Sequence, residues 1–393
     1  MEASGYPPMT DFAHTLNAWP AERIADGLAA ARPADVEAAL SAQERGPREL
    51  LALLSPAARA YLEPMAAEAQ RLTRWHFGRT ISLYAPLYIS NLCAADCVYC
   101  GFAARSMNRE KRVTLNPAQI EMECAALAAH GFESVLLLTG EAPKTVTVGY
   151  IAQAVSLARR HFASVSAEIY AIDEAEYRQL VAEGLEGVTL YMETYHRPTY
   201  AEVHLLGGKA DYDYRLGAME RAGAAGARKL NIGALLGLFE PRADAFWTAL
   251  HGRHLQRVCW RSALGISFPR LLHTPERFDV RYKVTDADLV QIMLAMRLFL
   301  PESGFNLSTR EAPALRDRLI PLGVTHMSAG SSTQPGGYAT YRRGEADERT
   351  NFREVLEQFA IDDQRPVNEV VAAIRRAGYD PVWKDYDHAF DRA

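Results

Sequence analysis

The sequence predicts an α/β protein built on a TIM-type (β/α)8 barrel spanning residues 80–341. An N-terminal helical extension, residues 1–79, precedes it, and a connector with a short C-terminal helical tail, residues 342–393, follows. Two observations predict the barrel. From about Thr80, short runs rich in β-branched and aromatic residues alternate with amphipathic stretches, the pattern of repeated βα units. Residues able to do chemistry then fall at the ends of those runs, where the βα loops of a barrel converge on one opening.

In chain order, Ala21 to about Gly78 is alanine-rich and helical in period, with Pro33 and Pro56 marking helix starts. The expected strands are Ile81–Tyr88, Ser134–Leu138, Val165–Tyr170, Val188–Met192, Lys229–Leu236, Leu264–Phe268, Phe305–Ser308 and Val324–Ser328. Asn116-Pro117 opens a helix that ends near His130-Gly131, and Asp173 opens another that ends at Gly184, through N-cap and C-terminal glycine chemistry. After the last strand come Ser331-Ser-Thr, Gln334-Pro-Gly-Gly-Tyr338 and a charged stretch, Arg342 to Arg353, expected to be a solvated connector.

At 393 residues with 49% hydrophobic and 23% charged residues, the chain can bury a large core in one barrel-sized domain. A net charge of −5, with Arg and Lys spread along the chain, argues against nucleic acid as a partner. Met1-Glu-Ala-Ser-Gly-Tyr lacks a basic segment followed by an apolar run, and no uninterrupted apolar stretch reaches membrane-spanning length, so secretion and membrane insertion are disfavoured. A reducing cytoplasm suits the free thiols expected here.

Three of the five cysteines, Cys93, Cys97 and Cys100, form a Cys-x3-Cys-x2-Cys array; the others, Cys124 and Cys259, are isolated and read as core. Three thiolates on one loop can hold three irons of a [4Fe–4S] cluster and leave the fourth open to a substrate or cofactor. A zinc ribbon would need a second ligand pair, and a ferredoxin run a fourth cysteine; neither is evident. Three buried or incidental thiols are the plainer alternative.

Cys93-Ala-Ala-Asp-Cys97-Val-Tyr99-Cys100 resembles the signature of radical S-adenosylmethionine (SAM) enzymes, whose cofactor chelates the open iron. From about Asp35 to Asp387 the chain resembles the radical SAM aromatic amino acid lyases, above all the tyrosine lyases of thiamine biosynthesis. Tyr88-Ile-Ser-Asn-Leu-Cys93, Leu138-Thr-Gly-Glu141, Glu193-Thr-Tyr-His196, Ser308-Thr-Arg-Glu311, Gln334-Pro-Gly-Gly-Tyr338 and Pro381-Val-Trp-Lys-Asp385 carry the resemblance. It implies a radical SAM barrel.

By that resemblance Tyr99 lies against adenine, and Thr139, Gly140 and Glu141 match the motif that meets the methionyl ammonium, with threonine replacing its first glycine. Glu168 matches an acid near the ribose or amine, although a structural ion pair explains it equally well. Glu193 is the stronger SAM candidate, and Gly233 and Leu235 belong to a stretch that cradles adenine. For an amino acid substrate, a carboxylate calls for a bidentate guanidinium on a rigid element, and Arg310 fits. The resemblance places Tyr88 and Ser328 beside it. The plainer readings are a salt bridge from Arg310 to Glu311 or Asp317, a solvated Glu141, and an ordinary strand aromatic at Tyr88. His196, His204, His273 and His326 are left without an assigned role.

The implied reaction cleaves the Cα–Cβ bond of L-tyrosine to 2-iminoacetate and p-cresol, with SAM converted to 5′-deoxyadenosine and methionine. The implied partners are thiazole synthase and a low-potential electron donor such as flavodoxin or ferredoxin. A tryptophan lyase shares the Arg310-type clamp. A related maturase carries C-terminal cysteines for a second cluster, whereas this sequence has none after Cys259. An iron–sulfur sensor or electron carrier would not need so elaborate a barrel.

Overall fold

The computed structural model describes residues 11–105, 112–272, 278–339 and 358–384. Eight parallel strands close into a barrel: β1 (Thr80–Ser90), β2 (Ser134–Thr139), β3 (Ser164–Glu168), β4 (Gly187–Thr189), β5 (Lys229–Gly233), β6 (Ala263–Ser267), β7 (Gly304–Leu307) and β8 (His326–Ser328). Each pairs with the next, and β1 pairs with both β8 and β2. All eight expected strands are therefore present. The third, fourth and fifth end early, at Glu168 rather than Tyr170, at Thr189 rather than Met192 and at Gly233 rather than Leu236. Beyond the ends of β4 and β5 the two segments stay paired irregularly: Leu190 and Met192 donate to the carbonyls of Asn231 and Gly233, and Glu193, at a φ of 66°, bridges to Ala234 and accepts from the Leu235 amide at 2.7 Å.

A ninth strand, β9 (Asp380–Val382), was not expected in the helical tail; it follows the helix Val367–Arg376. Ser82 of β1 faces His326 of β8 and Val382 of β9, so these lie on opposite edges of β1. β9 thus occupies the edge of β1 below Ala85, where β2 begins to pair. The tail joins the sheet at the start of β1, at the base of the barrel.

The helix Pro117–Ala129 is capped by Asn116, whose side chain accepts from the Gln119 amide at 3.0 Å, and Gly131 turns the chain out with a φ of 88°. Asp173 and Gly184 bracket the helix Glu174–Ala182, the Asp173 amide donating to Glu176 Oε2 at 2.9 Å and Gly184 turning the chain out with a φ of 102°. The N-terminal layer comprises Asp11–Ala18, Ala21–Ala30, Pro33–Ser41, Pro47–Leu54, a 3-10 turn at Pro56–Tyr61 and Leu62–Phe77. Its buried Ile24, Val36, Leu50, Leu53 and Met65 share one continuous core with the barrel. Gln291 of the helix Asp286–Phe299 fixes the contact by donating to the carbonyls of Leu53 and Ser55. Among the described residues no helix is long and apolar enough to cross a membrane. The Arg342–Arg353 stretch, His273 and Asp385 lie outside the described residues.

Arg297 on that same helix is fully buried beneath β7, donating to the carbonyls of Pro301, Ser303 and Gly323 and stacking on Phe305 at 3.9 Å. Burial pulls its pKa down to about 9. Arg297→Met should leave buried carbonyls without a donor and cost about 2–4 kcal/mol. Urea unfolding checks this, with a variant as stable as wild type counting against the packing described.

Candidate active site

The cysteine loop leaves the C-terminal end of β1 and is held from two sides. Ala94 donates to the carbonyl of Glu141 at 2.6 Å, while Asp96 and Val98 exchange backbone bonds with residues 203–206. Cys97 is buried and Cys93 and Cys100 are half-buried. Burial pushes all three thiols up, Cys97 to about 12. Among the described residues no three metal-binding side chains converge on one ion position. A cluster makes a different demand, one thiolate for each of three irons, and iron binding displaces the thiol protons.

Beside this loop stands a wall of buried charge. Gly140 allows β2 to pass close to the cysteine loop, since a Cβ there would lie 2.3 Å from the carbonyl oxygen of Leu92. Glu141 accepts from the Lys209 amide at 2.8 Å, and the Lys209 ammonium bonds to Glu193 at 2.6 Å, with Arg215 at 3.6 Å. Burial, the largest single influence, opposes the charge on Lys209, but Glu193 together with Cys97 and Tyr200 raises its pKa overall. Glu193 is the one non-glycine with positive φ among the described residues. The Tyr99 hydroxyl meets His204 Nε2 at 2.8 Å, and its ring packs on an apolar patch of Val203, Leu235 and Leu238. Burial keeps His204 well below its ordinary pKa. Gly233 lets β5 approach β6, where a Cβ would sit 2.6 Å from the Ser267 carbonyl oxygen.

Across the cavity lies Arg310. The acids that could have paired with it are taken: Arg270 holds Glu311 through bonds of 2.6–3.1 Å, and Arg365 holds Asp317 at 2.9 and 3.1 Å. Among the described residues the Arg310 guanidinium forms no ion pair; its face lies 3.8 Å from the Phe359 ring. Tyr88 donates to Gln358 Oε1 at 2.6 Å, and Ser328 Oγ accepts from the Thr309 amide at 3.1 Å. Glu168, at the end of β3, has a pKa raised to about 7, by burial first and by Glu193 second, against the pull of Lys209, Arg310 and Arg215.

One cavity brings together Tyr88, Tyr99, Cys100, Glu168, Glu193, Leu235, Arg310 and Ser328. Thr139, Gly140 and Gly233 lie behind it, and Glu141 borders an adjoining recess that shares Lys209. The plainer reading of Arg310, a rim salt bridge to Glu311 or Asp317, is not what forms among the described residues. His196 caps the helix Arg197–Val203, and His326 bonds to Thr325 at the opposite end of the barrel. Lys209, Arg215, Gln358 and Phe359 were missed. Only the Gly-Gly-Lys sequence at 207–209 hinted at a close-packed loop, and nothing local marked the other three.

Residues 87–246 match the Radical SAM superfamily and residues 267–380 the Biotin and Thiamin Synthesis associated domain. The chain is 45% identical over 361 residues to the 2-iminoacetate synthase of Escherichia coli (strain K12), covering 92% of each. It belongs to the 2-iminoacetate synthase family. A crystal structure of HydG, a maturase of the [FeFe]-hydrogenase, superposes with a TM-score of 0.83 at 29% identity, covering 93% of this chain and 80% of that one. Methylornithine synthase, at 19% identity and a TM-score of 0.69, shares the fold.

With this radical SAM family come a [4Fe–4S] cluster and SAM. The residues fit both groups. Three clustered thiols would supply the iron ligands, Thr139 Oγ1 is buried without a partner among the described residues, and Gly140 and Gly233 leave no room for a side chain. Cys93→Ala, Cys97→Ala and Cys100→Ala should each lose cluster iron, whereas Cys124→Ser and Cys259→Ser should keep it. Anaerobic iron and sulfide analysis checks this, and full iron content in any of the first three would remove the cluster from this loop.

The Glu-Thr-Tyr-His string owes its shape to Asp244, whose Oδ1 accepts from the Thr194 hydroxyl at 3.0 Å and the Tyr195 amide at 2.8 Å. Its other oxygen is buried without a partner, and burial raises its pKa to about 8. Such a shift favours folding while the acid is protonated and is lost as pH rises to the folded-state pKa. Wild-type stability relative to Asp244→Asn should therefore fall between about pH 4 and 8, at up to about 1.4 kcal/mol per unit. A pH-independent gap in urea unfolding would contradict the shift.

Proposed function

We propose that the protein is a 2-iminoacetate synthase, cleaving the Cα–Cβ bond of L-tyrosine to 2-iminoacetate and p-cresol with conversion of SAM to 5′-deoxyadenosine and methionine. The observation that carries the substrate side is the Arg310 guanidinium, without an ion pair among the described residues, facing a cavity whose far wall is formed by Tyr99, Glu193 and Cys100.

When bound, the cluster and SAM supply the radical chemistry that removes a hydrogen atom from the substrate. The chain holds and orients. Cys93, Cys97 and Cys100 ligate iron, and Glu141 and Glu193 accept from the methionyl ammonium. Thr139 offers a free hydroxyl, and Gly140 and Gly233 allow close backbone approach. Glu168 accepts from the ribose or amine, and Tyr99 and Leu235 pack against adenine. Arg310 clamps the tyrosine carboxylate through two charge-assisted bonds, with Tyr88 and Ser328 beside it. Fixing the carboxylate fixes the amine and the bond to be broken, and misplacement by about 1 Å would cost much of the rate.

Because 2-iminoacetate is an imine that water hydrolyses, a thiazole synthase receiving it directly is the fitting partner in thiamine biosynthesis. A flavodoxin or ferredoxin fits as electron donor, and a reducing cytoplasm as the compartment.

The test is to incubate the reduced, reconstituted enzyme anaerobically with SAM and each aromatic amino acid. p-Cresol from tyrosine is expected; an indole product from tryptophan alone would favour a tryptophan lyase. Arg310→Ala should lose about 2–4 kcal/mol, roughly 30- to 1000-fold in tyrosine-dependent turnover, with SAM affinity little changed. Normal tyrosine dependence in that variant would place the clamp elsewhere.

A further inference from the structure

Two side chains in the amino acid pocket come from no barrel strand but from the far part of the long connection between β8 and the helix Val367–Arg376. Gln358 and Phe359 lie about 30 residues beyond β8, yet Gln358 Oε1 takes the Tyr88 hydroxyl and Phe359 lies under the Arg310 guanidinium. We propose that Phe359 is the positioning residue of the Arg310 clamp, and that the segment Gln358–Asp363 is a strap fixing the carboxylate end of the substrate pocket. This rests on the tyrosine-cleaving function proposed above and assigns its substrate specificity to residues outside the barrel.

The strap is pinned at both ends. The Gln358 carbonyl accepts from the Gly101 amide, next to Cys100, at 3.3 Å, and the Phe359 carbonyl accepts from Thr333 Oγ1 at 3.2 Å. Asp362 and Asp363 both donate their amides to the Thr309 carbonyl, adjacent to Arg310, at 3.1 and 3.0 Å. Asp363 itself is buried in an ion pair with Arg316 and bonds to Arg365. The strap therefore joins the cysteine loop to the loop after β7.

A guanidinium stacked on a ring has its face covered and its planar N–H edge free. That edge is the part a carboxylate needs. A long side chain has several rotamers to lose on binding, and a ring that selects one of them lowers the entropic cost of clamping the substrate. Gln358 does the corresponding work on the Tyr88 hydroxyl, which without it would be a buried donor lacking its present acceptor.

The test compares L-tyrosine with tyramine, which has the same ring and amine but no carboxylate. Dissociation constants are measured by equilibrium dialysis with unreduced holoenzyme and SAM, conditions under which nothing turns over. Phe359→Leu should weaken tyrosine binding about tenfold and leave tyramine unchanged, so that discrimination between the two narrows by the same factor. Phe359→Tyr, which keeps the ring, should restore discrimination, and iron content and SAM binding should match wild type in both. Discrimination unchanged in Phe359→Leu, whether both ligands weaken equally or neither does, would overturn the proposal. Absence of p-cresol from the wild-type enzyme would instead strike the proposed reaction, and the binding ratio would still report on the clamp.

Discussion

The choice of partners among the arginines and acids at the C-terminal end of β7 governs how the pocket can work. Glu311 adjoins Arg310 in sequence and Asp317 lies within a few residues, yet both carboxylates are bound by other arginines, Arg270 and Arg365. The Arg270–Glu311 pair is buried, so exchanging its members would strand a charge out of water. Among the described residues Arg310 is thereby left with an aromatic face below it and its edge unpaired toward the cavity. A pocket for an amino acid carboxylate requires a cation whose charge is unspent, and the neighbouring ion pairs keep it so.

The opposite wall follows another rule. Lys209, Arg215, Glu193 and Glu168 crowd a water-poor space, where burial acts first on Lys209, Arg215 and Glu168 and the Glu193 carboxylate raises the pKa of all three. Glu193 also sits in a left-handed backbone conformation, a cost of roughly 1–3 kcal/mol for a residue other than glycine. Asp244 holds the two residues that follow it, and the Lys209 ammonium holds its carboxylate. Strain that the surroundings over-determine marks a position selected for what its side chain does. In Glu193-Thr-Tyr-His196, the glutamate faces the cavity while threonine, tyrosine and histidine fix the backbone.

Much of this was legible in the sequence because it is local. Strand periodicity, the Asn116 and Asp173 caps and the Cys-x3-Cys-x2-Cys spacing act over a few residues, and the barrel rule places their loops at one opening. β9 was hidden because three residues containing Pro381 carry no alternating pattern; its stability comes from an edge of β1 that β2 leaves open. Lys209 follows two glycines with no local sign of an acidic partner, and only the fold buries it against Glu193. Gln358 and Phe359 follow a charged stretch, and their closeness to Tyr88 and Arg310 is a tertiary fact with no short-range signal. Arg310 itself was visible, but the sequence could not show that its expected acids were already paired.

The central claim is that Arg310 receives the α-carboxylate of L-tyrosine across the cavity from the cluster-binding loop. The most direct measurement is an anaerobic crystal structure of the holoenzyme with SAM and L-tyrosine. Two N–H···O bonds from the Arg310 fork to the substrate carboxylate, at about 2.7–2.9 Å, are the predicted result, with Phe359 still beneath the guanidinium. A carboxylate bound elsewhere, with Arg310 paired to Glu168 or turned to solvent, would contradict it.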